Sequence, residues 1–350
     1  MSEERDMRPA VGSGASPAFG VKGSQPVAFA GDPAWSYLYG DDTAYAGTER
    51  ATGNMPPLGG VSHGMIKAPV WTWEVPLYFW VGGIASGSSF VAMACDAAGD
   101  HESAAIARKV TLAAIGPAAP LLVMDLGRPE RFLNMMRIFK PRSPMSMGAW
   151  CLSAFSGAAF FAVAADVLDQ PRLARLLGVK TAVLGTYLGS YTGVLLASTA
   201  VPVWARSRMF LGPIFIATAA AKGAAANRLV LAATGLPTGH PTRNALGTIE
   251  TLAMSAELAM SSLNEKRLGR LAHSLEEGRP GRLFQAAKWM IRVGLALRLA
   301  RSRGAWVHHV ASVLFLLAGL SFRFAWVGSG RTSARDDEAV ARMHRTERRT

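Results

Sequence analysis

The feature that most constrains this chain is a series of long stretches without a charged residue. Reading between consecutive charged residues gives uncharged stretches of 21, 15, 23, 25 and 19 residues. They are Val75–Cys95, Val110–Met124, Ser143–Ala165, Thr181–Ala205 and Gly304–Phe322. A helix needs about 20 mostly apolar residues to cross the hydrocarbon core of a bilayer, and four of the stretches are long enough as they stand. The sequence therefore predicts a polytopic, all-α membrane protein.

Composition argues against an ordinary soluble domain. Half of the residues are hydrophobic (50%), only 17% are charged, and the mean hydropathy is +0.20 despite a formal net charge of +13. A surface that faces water needs more interspersed charge than this. The basic excess is explained by membrane topology and by attraction to anionic lipid, and it needs no nucleic acid.

Eight transmembrane helices are predicted, with ends uncertain by several residues. They lie at about 73–95, 105–124, 148–166, 179–203, 209–232, 245–263, 283–299 and 305–327. The seventh carries Lys288 and Arg292, so an interfacial amphipathic helix is an alternative there. The domains are then a mostly disordered arm (1–70), a transmembrane domain (71–327) and a basic tail (328–350).

The distribution of Lys and Arg predicts the orientation. With eight spans, the loops on the side of both termini carry more Lys and Arg than the opposite loops. Positive loops tend to stay in the cytoplasm, so both termini are expected to be cytoplasmic in a cell-membrane protein. Within the first helix, Gly83 and Gly87 place two small residues one turn apart, which predicts a close approach by a neighbouring backbone.

Few residues in this chain are suited to holding a redox metal. Cys95 and Cys151 are its only cysteines, too few for an iron–sulfur cluster or a four-thiolate zinc site. A membrane haem needs imidazoles that project into one cavity from facing helices. His308 and His309 are adjacent on one predicted helix, about 100° apart around its axis. We therefore expect no haem, no iron–sulfur cluster and no metal site in this chain.

The most distinctive stretch joins the second and third predicted helices. It reads DLGRPERFLNMMRIFKPRSPMSMG and runs from residue 125 to residue 148. Asp125, Arg128, Glu130 and Arg131 place alternating charges at the membrane edge, and Ser143 or Ser146 can cap the next helix. Asp125 either accepts protons or forms a salt bridge with a neighbouring arginine, and the salt bridge is the favoured reading.

At this loop the chain resembles the polysulfide reductase membrane-subunit family, of the NrfD and PsrC type. The similarity rests on DLGRPERF, followed by FKPRSPMSMGAW. It extends to WTWEVPLYFWVGGIASG (71–87), YTGVLLASTAVPVW (191–204) and RFAWVGSGRTSARD (323–336). In this sequence Asp337 follows the last motif, where the family usually has proline.

The resemblance implies an eight-helix subunit, often two four-helix bundles, that binds a quinone such as menaquinone and carries no redox metal. Electrons then pass between the quinone and a four-cluster ferredoxin-like iron–sulfur subunit, which connects to a molybdopterin catalytic subunit. The chain is expected to be non-catalytic alone. The 125–147 loop, with Asp125, Arg128, Glu130 and Arg131, is the candidate docking surface for the iron–sulfur protein.

A quinone site needs an apolar groove, hydrogen-bond donors for the head group and a route for protons. By residue type, Glu74, Tyr78, Tyr187 and Tyr191 suit these roles. The resemblance places quinone contacts near the start of the first helix and in the fourth, and we carry this to Glu74, Tyr78 and Tyr191. For each of them, the alternative is a role in packing or at the membrane interface.

Ionisable residues are also predicted at membrane depth. Glu250 and Glu257 lie seven residues apart, on one face of the sixth predicted helix, while Lys288 and Arg292 lie on the seventh. Such groups are costly unless paired, so we predict ion pairs between these two helices. A proton path is the alternative reading.

Two other functional classes remain open. Secondary transporters also use glycine-interrupted helices and buried charges. A third possibility is a structural anchor, or a subunit of a quinol-oxidising alternative respiratory complex.

Overall fold

A computed structural model describes residues 66–125, 132–299 and 304–336, and within these ranges every regular element is helical. The prediction of an all-α chain is confirmed. The α-helices are α1 (Glu74–Ala97), α2 (His101–Ile115), α3 (Ala118–Asp125), α4 (Phe132–Arg137), α5 (Pro144–Val167), α6 (Pro171–Ala197), α7 (Pro202–Arg206), α8 (Arg208–Ala233), α9 (Pro241–Leu268), α10 (His273–Glu276), α11 (Gly278–Leu299) and α12 (Ala305–Ala334). A 3₁₀ turn (Gly269–Ala272) joins α9 to α10.

Five helical segments in the described part of the chain are long and apolar enough to cross a membrane. They are Glu74–Ala97, His101–Asp125, Pro144–Val167, Arg208–Ala233 and Trp306–Ala334. The chain is therefore a multi-pass membrane protein, as predicted. Helices α6, α9 and α11 are also long, with 27, 28 and 22 residues, and α9 and α11 carry six and five charged residues.

Proline sets several helix boundaries that hydropathy alone misplaced. The second predicted helix is broken at Gly116 and Pro117, between α2 and α3. The fourth was predicted to end at residue 203, but α6 ends at Ala197 and Pro202 opens the separate α7. Proline has no amide N–H to continue a helix, but its fixed φ suits a first turn.

Two further differences in helix length occur where charged residues lie near a helix end. Helix α6 begins at Pro171 rather than at residue 179, because its first turns carry exposed arginines that suggested a loop. Helix α12 continues to Ala334, beyond the predicted end at residue 327. A helix that leaves the apolar layer can continue into the polar region, where hydropathy no longer marks its course.

Polar side chains cap three of the long helices, and His240 is the cap of α9. Ser143 caps α5 and accepts a hydrogen bond from the Ser146 amide at 3.4 Å, as the sequence predicted. Asp100 caps α2 and accepts a hydrogen bond from the Ser103 amide at 3.1 Å and another from the Thr242 hydroxyl. Partial burial acts to raise the pKa of Asp100, but these hydrogen bonds outweigh it and hold the pKa below its ordinary value.

The long helices pack in an order that follows the chain. Helix α1 packs against α2, α3 and α6, and α5 packs against α6. In the second half, α8 packs against α9, and α11 packs against α12. Helix α8 connects the helices of the first half of the chain with those of the second, because it also packs against α1 and α6.

Glycine allows a close backbone contact between α1 and α8. A β-carbon on Gly87 would overlap the Ala219 carbonyl, and one on Gly223 would overlap the backbone of Gly87. The predicted backbone approach is confirmed at Gly87, whereas Gly83 makes room for the Lys222 side chain.

A buried ion triad joins α1, α2 and α5. Arg108 Nη1 donates to Asp96 at 2.5 Å, and Arg108 Nε and Nη2 donate to the two carboxylate oxygens of Asp166 at 2.6 and 2.7 Å. Arg108 is only 5% exposed. The planar guanidinium is well matched to two carboxylates, so the triad fixes the relative positions of three helices at one end of the molecule.

Candidate functional site

A cavity of about 200 Å³ lies among α1, α3, α4, α5 and α6. Its walls are mainly apolar and are formed by Val75, Phe79, Ala119, Leu122, Phe132, Met135, Met145, Ala149, Leu152 and Leu195. Such a space favours a small apolar or aromatic group over a charged one. The polar atoms around it therefore decide which ligand it suits.

Two tyrosines that the sequence singled out meet at this cavity. Tyr78 comes from α1 and Tyr191 from α6, and both line the space. Their side chains are buried, with residue exposures of 3% and 5%. Neither hydroxyl has a hydrogen-bond partner among the described residues. Two phenol groups that face an apolar space without a protein partner can donate hydrogen bonds to a bound ligand.

The position of Tyr191 depends on its neighbours in α5 and α6. A β-carbon on Gly148 would overlap the Tyr191 ring, so glycine in α5 is required for the ring to lie there. On the other side Tyr187 stacks on Tyr191, with ring centroids 5.6 Å apart. Tyr187 is 38% exposed and does not line the cavity, so the third candidate tyrosine supports the site from outside it.

Two carboxylates lie near one end of the cavity. Asp125, the last residue of α3, lines the space and accepts a hydrogen bond from the Thr72 amide. Glu74, the first residue of α1, accepts a hydrogen bond from the Thr72 hydroxyl and lies close enough to Asp125 to repel it. Arg331 of α12 partly offsets that repulsion. The structure thus places Glu74 beside the cavity wall and adds Asp125 to the wall itself.

The cavity reaches the outer surface of the helix bundle. Met145 of α5 lines it and is 52% exposed, so one wall of the cavity is also part of the surface. Trp71 lines another side and stacks on Trp204, with ring centroids 5.4 Å apart. A ligand with a long apolar tail could therefore occupy the cavity with its head and extend outward beside α5.

Three of the four predicted docking residues cannot be placed. Arg128, Glu130 and Arg131 lie outside the residues that the structure describes. Asp125 lies in the described part of the chain, at the wall of the cavity.

Two of the four predicted intramembrane charges form ion pairs between α9 and α11, with partners that sequence reasoning did not name. Arg298 of α11 forms an ion pair with Glu250, and Lys288 forms one with Glu265. Arg292 instead lies over the Trp289 ring, 5.3 Å from its centroid. Arg298 lies on α11 and Glu265 on α9, and both carry the charge needed for these pairs. Which charged residues meet depends on how α9 and α11 are rotated relative to each other.

Glu257 has a different environment. It is fully buried, and it accepts a hydrogen bond from the Ser261 hydroxyl at 2.8 Å. Its second oxygen has no partner among the described residues, and Arg323 and Lys288 act on it only through their charges. The carboxylate is therefore desolvated without a direct ion pair.

Sequence reasoning missed the role of two buried cations. Lys222 of α8 is fully buried and donates to the Trp80 carbonyl at 3.2 Å. Arg323 of α12 donates to the Phe215 carbonyl at 3.3 Å, and its guanidinium lies 3.5 Å from the Phe215 ring centroid. The signal in the sequence that could have indicated both residues is a single charge within an apolar stretch. In the described part of the chain, no group of three or more His, Cys, Asp and Glu residues is arranged to hold a metal ion.

Fold and site together define a class: a multi-pass, all-α membrane protein with a small apolar cavity that carries phenol and carboxylate groups. The family described as "Polysulphide reductase, NrfD" matches residues 61–333, and the chain belongs to this family. No curated protein matches the chain. Membership makes the chain a membrane subunit of a quinol-reactive oxidoreductase complex, and subunits of this family generally associate with catalytic and iron–sulfur subunits.

Proposed function

We propose that this chain is the membrane anchor and quinone-reactive subunit of a respiratory molybdopterin oxidoreductase. In that complex it exchanges electrons between menaquinone and a four-cluster ferredoxin-like iron–sulfur subunit. The observation that carries the proposal is the cavity lined by Tyr78, Tyr191 and Asp125. It combines apolar walls, two phenol groups and a carboxylate in one place.

The residues around the cavity suit a quinone head group. Its two carbonyl oxygens accept hydrogen bonds, and Tyr78 and Tyr191 have hydroxyls available to donate them. The apolar walls exclude water from the ring, and the surface at Met145 provides an exit for an isoprenoid tail. A bound quinone supplies the redox chemistry, taking up two electrons and two protons to form the quinol.

Protons then need a route between the cavity and water. Asp125 lines the cavity, and Glu74 is near it at the start of α1, where the helix leaves the apolar layer. A carboxylate can accept a proton from a quinol hydroxyl that is hydrogen-bonded to a tyrosine, and it can pass that proton outward. Asp125 is therefore the proposed first proton acceptor, and Glu74 the second.

The proposed arrangement assigns the electron-carrying metals to other proteins. The partners are the iron–sulfur subunit and the molybdopterin catalytic subunit, and Asp125 and Phe132 of the proposed 125–147 docking loop line the cavity. Docking at the cavity end of the molecule keeps the distance from quinone to cluster short.

We further propose that the protein lies in the cell membrane with eight crossings and both termini in the cytoplasm. Fluorescence of a green fluorescent protein fused to the C-terminus tests the orientation, because the fusion folds only in the cytoplasm.

Binding of a soluble quinone tests the site without partner subunits. Menadione should quench tryptophan fluorescence of the full chain in detergent, since Trp71 lines the cavity. Tyr78→Phe and Tyr191→Phe each remove one hydroxyl and should weaken binding about tenfold. Tyr187→Phe is the matched control, because its ring packs outside the cavity. Equal affinity in all four proteins would rule out the proposed site.

Copurification tests the proposed complex. An iron–sulfur protein and a molybdopterin protein should accompany the chain isolated in mild detergent. Isolation with neither partner but with a transported solute would favour the transporter class, and partners without quinone binding would favour a structural anchor.

A further inference from the structure

A second, larger cavity lies at the opposite end of the helix bundle. It has a volume of about 610 Å³ and lies among the ends of α8 and α11 and the starts of α9 and α12. Arg228, Arg243 and Arg298 line it together with His308. The quinone proposal uses none of these residues.

The arginines around this cavity exceed the carboxylates that face them. Glu250 pairs with Arg298 and also attracts Arg228. Asp100, at the same end, is already engaged by Ser103 and Thr242. Within the described residues, three guanidinium groups therefore share one carboxylate. Such an excess is unfavourable beside a membrane unless an anion completes it.

The protein fixes Arg228 and Arg243 in place through neutral acceptors, whereas Arg298 is paired with Glu250. Arg228 donates to the carbonyl oxygens of Arg243 and His308 at 3.1 and 3.0 Å. Arg243 donates to the Leu236 carbonyl at 2.6 Å. Carbonyl acceptors orient a guanidinium but carry no formal charge, so the groups stay positively charged and preorganised.

A glycine opens the space where two of these groups converge. A β-carbon on Gly247 would lie 3.6 Å from Arg228 Nε and 3.8 Å from Arg298 Nη1. Gly247 itself lines the cavity, together with Asn244 and Thr248. A larger side chain at residue 247 would point into the volume that both guanidiniums border.

The rim of the cavity has the character of a membrane interface. Leu252 and Leu299 line it and are 66% and 77% exposed. Trp306, in the first turn of α12, is 66% exposed, as expected of a ring at the level of lipid head groups. Exposed leucines beside clustered arginines suit a molecule that is both anionic and apolar.

We propose that this cavity binds the head group of an anionic phospholipid, with its phosphate between Arg228, Arg243 and Arg298 and its acyl chains along Leu252 and Leu299. Basic pockets between transmembrane helices are a known way of holding acidic lipids. The site is independent of the quinone cavity.

Lipid-dependent thermal stability of the full chain in detergent tests the proposal. Phosphatidylglycerol should raise the melting temperature, whereas phosphatidylcholine and inorganic phosphate should not. Arg243→Gln and Gly247→Leu should each require at least about tenfold more phosphatidylglycerol for the same shift. Arg175→Gln is the matched control, because Arg175 is exposed at the same end and donates, among the described residues, only to the Pro171 carbonyl.

Each outcome decides the question. Equal stabilisation of all four proteins by phosphatidylglycerol, or equal effects of the two lipids, would overturn the proposal. Stabilisation by inorganic phosphate as large as that by the lipid would assign the site to a soluble anion instead. If Arg243→Gln does not fold, Gly247→Leu decides alone, since it leaves every charge in place.

Discussion

Tyr191 lies with its ring against Gly148, at a point where any β-carbon on residue 148 would overlap the ring. The contact joins α5 to α6 at the wall of the smaller cavity. The position of Tyr191, a residue proposed to bind the quinone, therefore depends on the absence of a side chain at residue 148 in the neighbouring helix. The first prediction follows from this dependence.

Gly148→Ala should displace the Tyr191 ring and weaken quinone binding. Overpacking of this kind costs about 1–3 kcal/mol, and a loss of that size in binding free energy is a roughly 5- to 150-fold loss of affinity. Menadione titration by tryptophan fluorescence measures it. Gly157→Ala in the same helix is the control, because a β-carbon there meets nothing within 4 Å. Equal affinities in the two variants would show that the Tyr191 ring position does not matter for binding.

Gly223→Ala should destabilise the whole helix bundle. A β-carbon on Gly223 would overlap the backbone of Gly87, and backbone cannot move as a flexible side chain can. We expect a loss of about 1–3 kcal/mol, measured as a lower melting temperature in detergent. Gly212→Ala in the same helix should be neutral or stabilising, because its β-carbon would lie 3.6 Å from Val194, an ordinary contact. A Gly223→Ala protein as stable as Gly212→Ala would contradict the close α1–α8 crossing.

Arg108→Met should be one of the most destabilising single changes. It leaves Asp96 and Asp166 as neighbouring carboxylates without their shared cation. Removal of one partner from a buried ion pair costs about 3–5 kcal/mol. Lys109→Met makes the same chemical change at the next residue, which is exposed, and should have little effect. Chemical or thermal unfolding of both variants in detergent compares them directly.

Glu257→Gln should leave quinone turnover unchanged and lower thermal stability. The carboxylate makes no direct ion pair in the described structure, but its charge offsets those of Arg323 and Lys288. We expect a loss of about 1–3 kcal/mol. Glu276→Gln, at an exposed position, is the control. A large fall in turnover by the intact complex, with stability unchanged, would instead support the proton-path reading.

Asp100 should make stability depend on acidic pH. Its pKa is lower in the folded chain than the value of about 3.9 expected when unfolded, so its charged form favours folding. That contribution is present above about pH 4 and disappears as the pH falls through the lower folded value. The stability difference between wild type and Asp100→Asn should therefore shrink as the pH falls below about 4.

Thermal unfolding in detergent between neutral and strongly acidic pH measures this difference. Asp169→Asn is the matched control, because Asp169 is exposed and its φ of 53° is tolerated by asparagine. A pH-independent difference for Asp100→Asn would indicate that only its capping geometry matters.

Much of the fold could be predicted because hydrophobic stretches act locally. Apolar stretches such as Val75–Cys95 have few alternatives to a helix in a membrane, since every backbone polar group must be satisfied within the segment. The glycine pair Gly83 and Gly87 likewise indicated a close crossing, because small residues in an apolar helix have few other uses. Residue types also indicated Tyr78 and Tyr191 as candidate donors.

The tertiary structure decided what depends on the rotation and register of neighbouring helices. Charge and depth predicted that Glu250 needs a cation, but only the packing of α9 against α11 selects Arg298 rather than Lys288 or Arg292. The meeting of Gly148 with Tyr191, and of three arginines around one open cavity, likewise joins residues far apart in the chain. Sequence determines the helices of this protein because their stability is local. Its cavities belong to the tertiary structure, since each is a gap left between helices whose positions are set by packing.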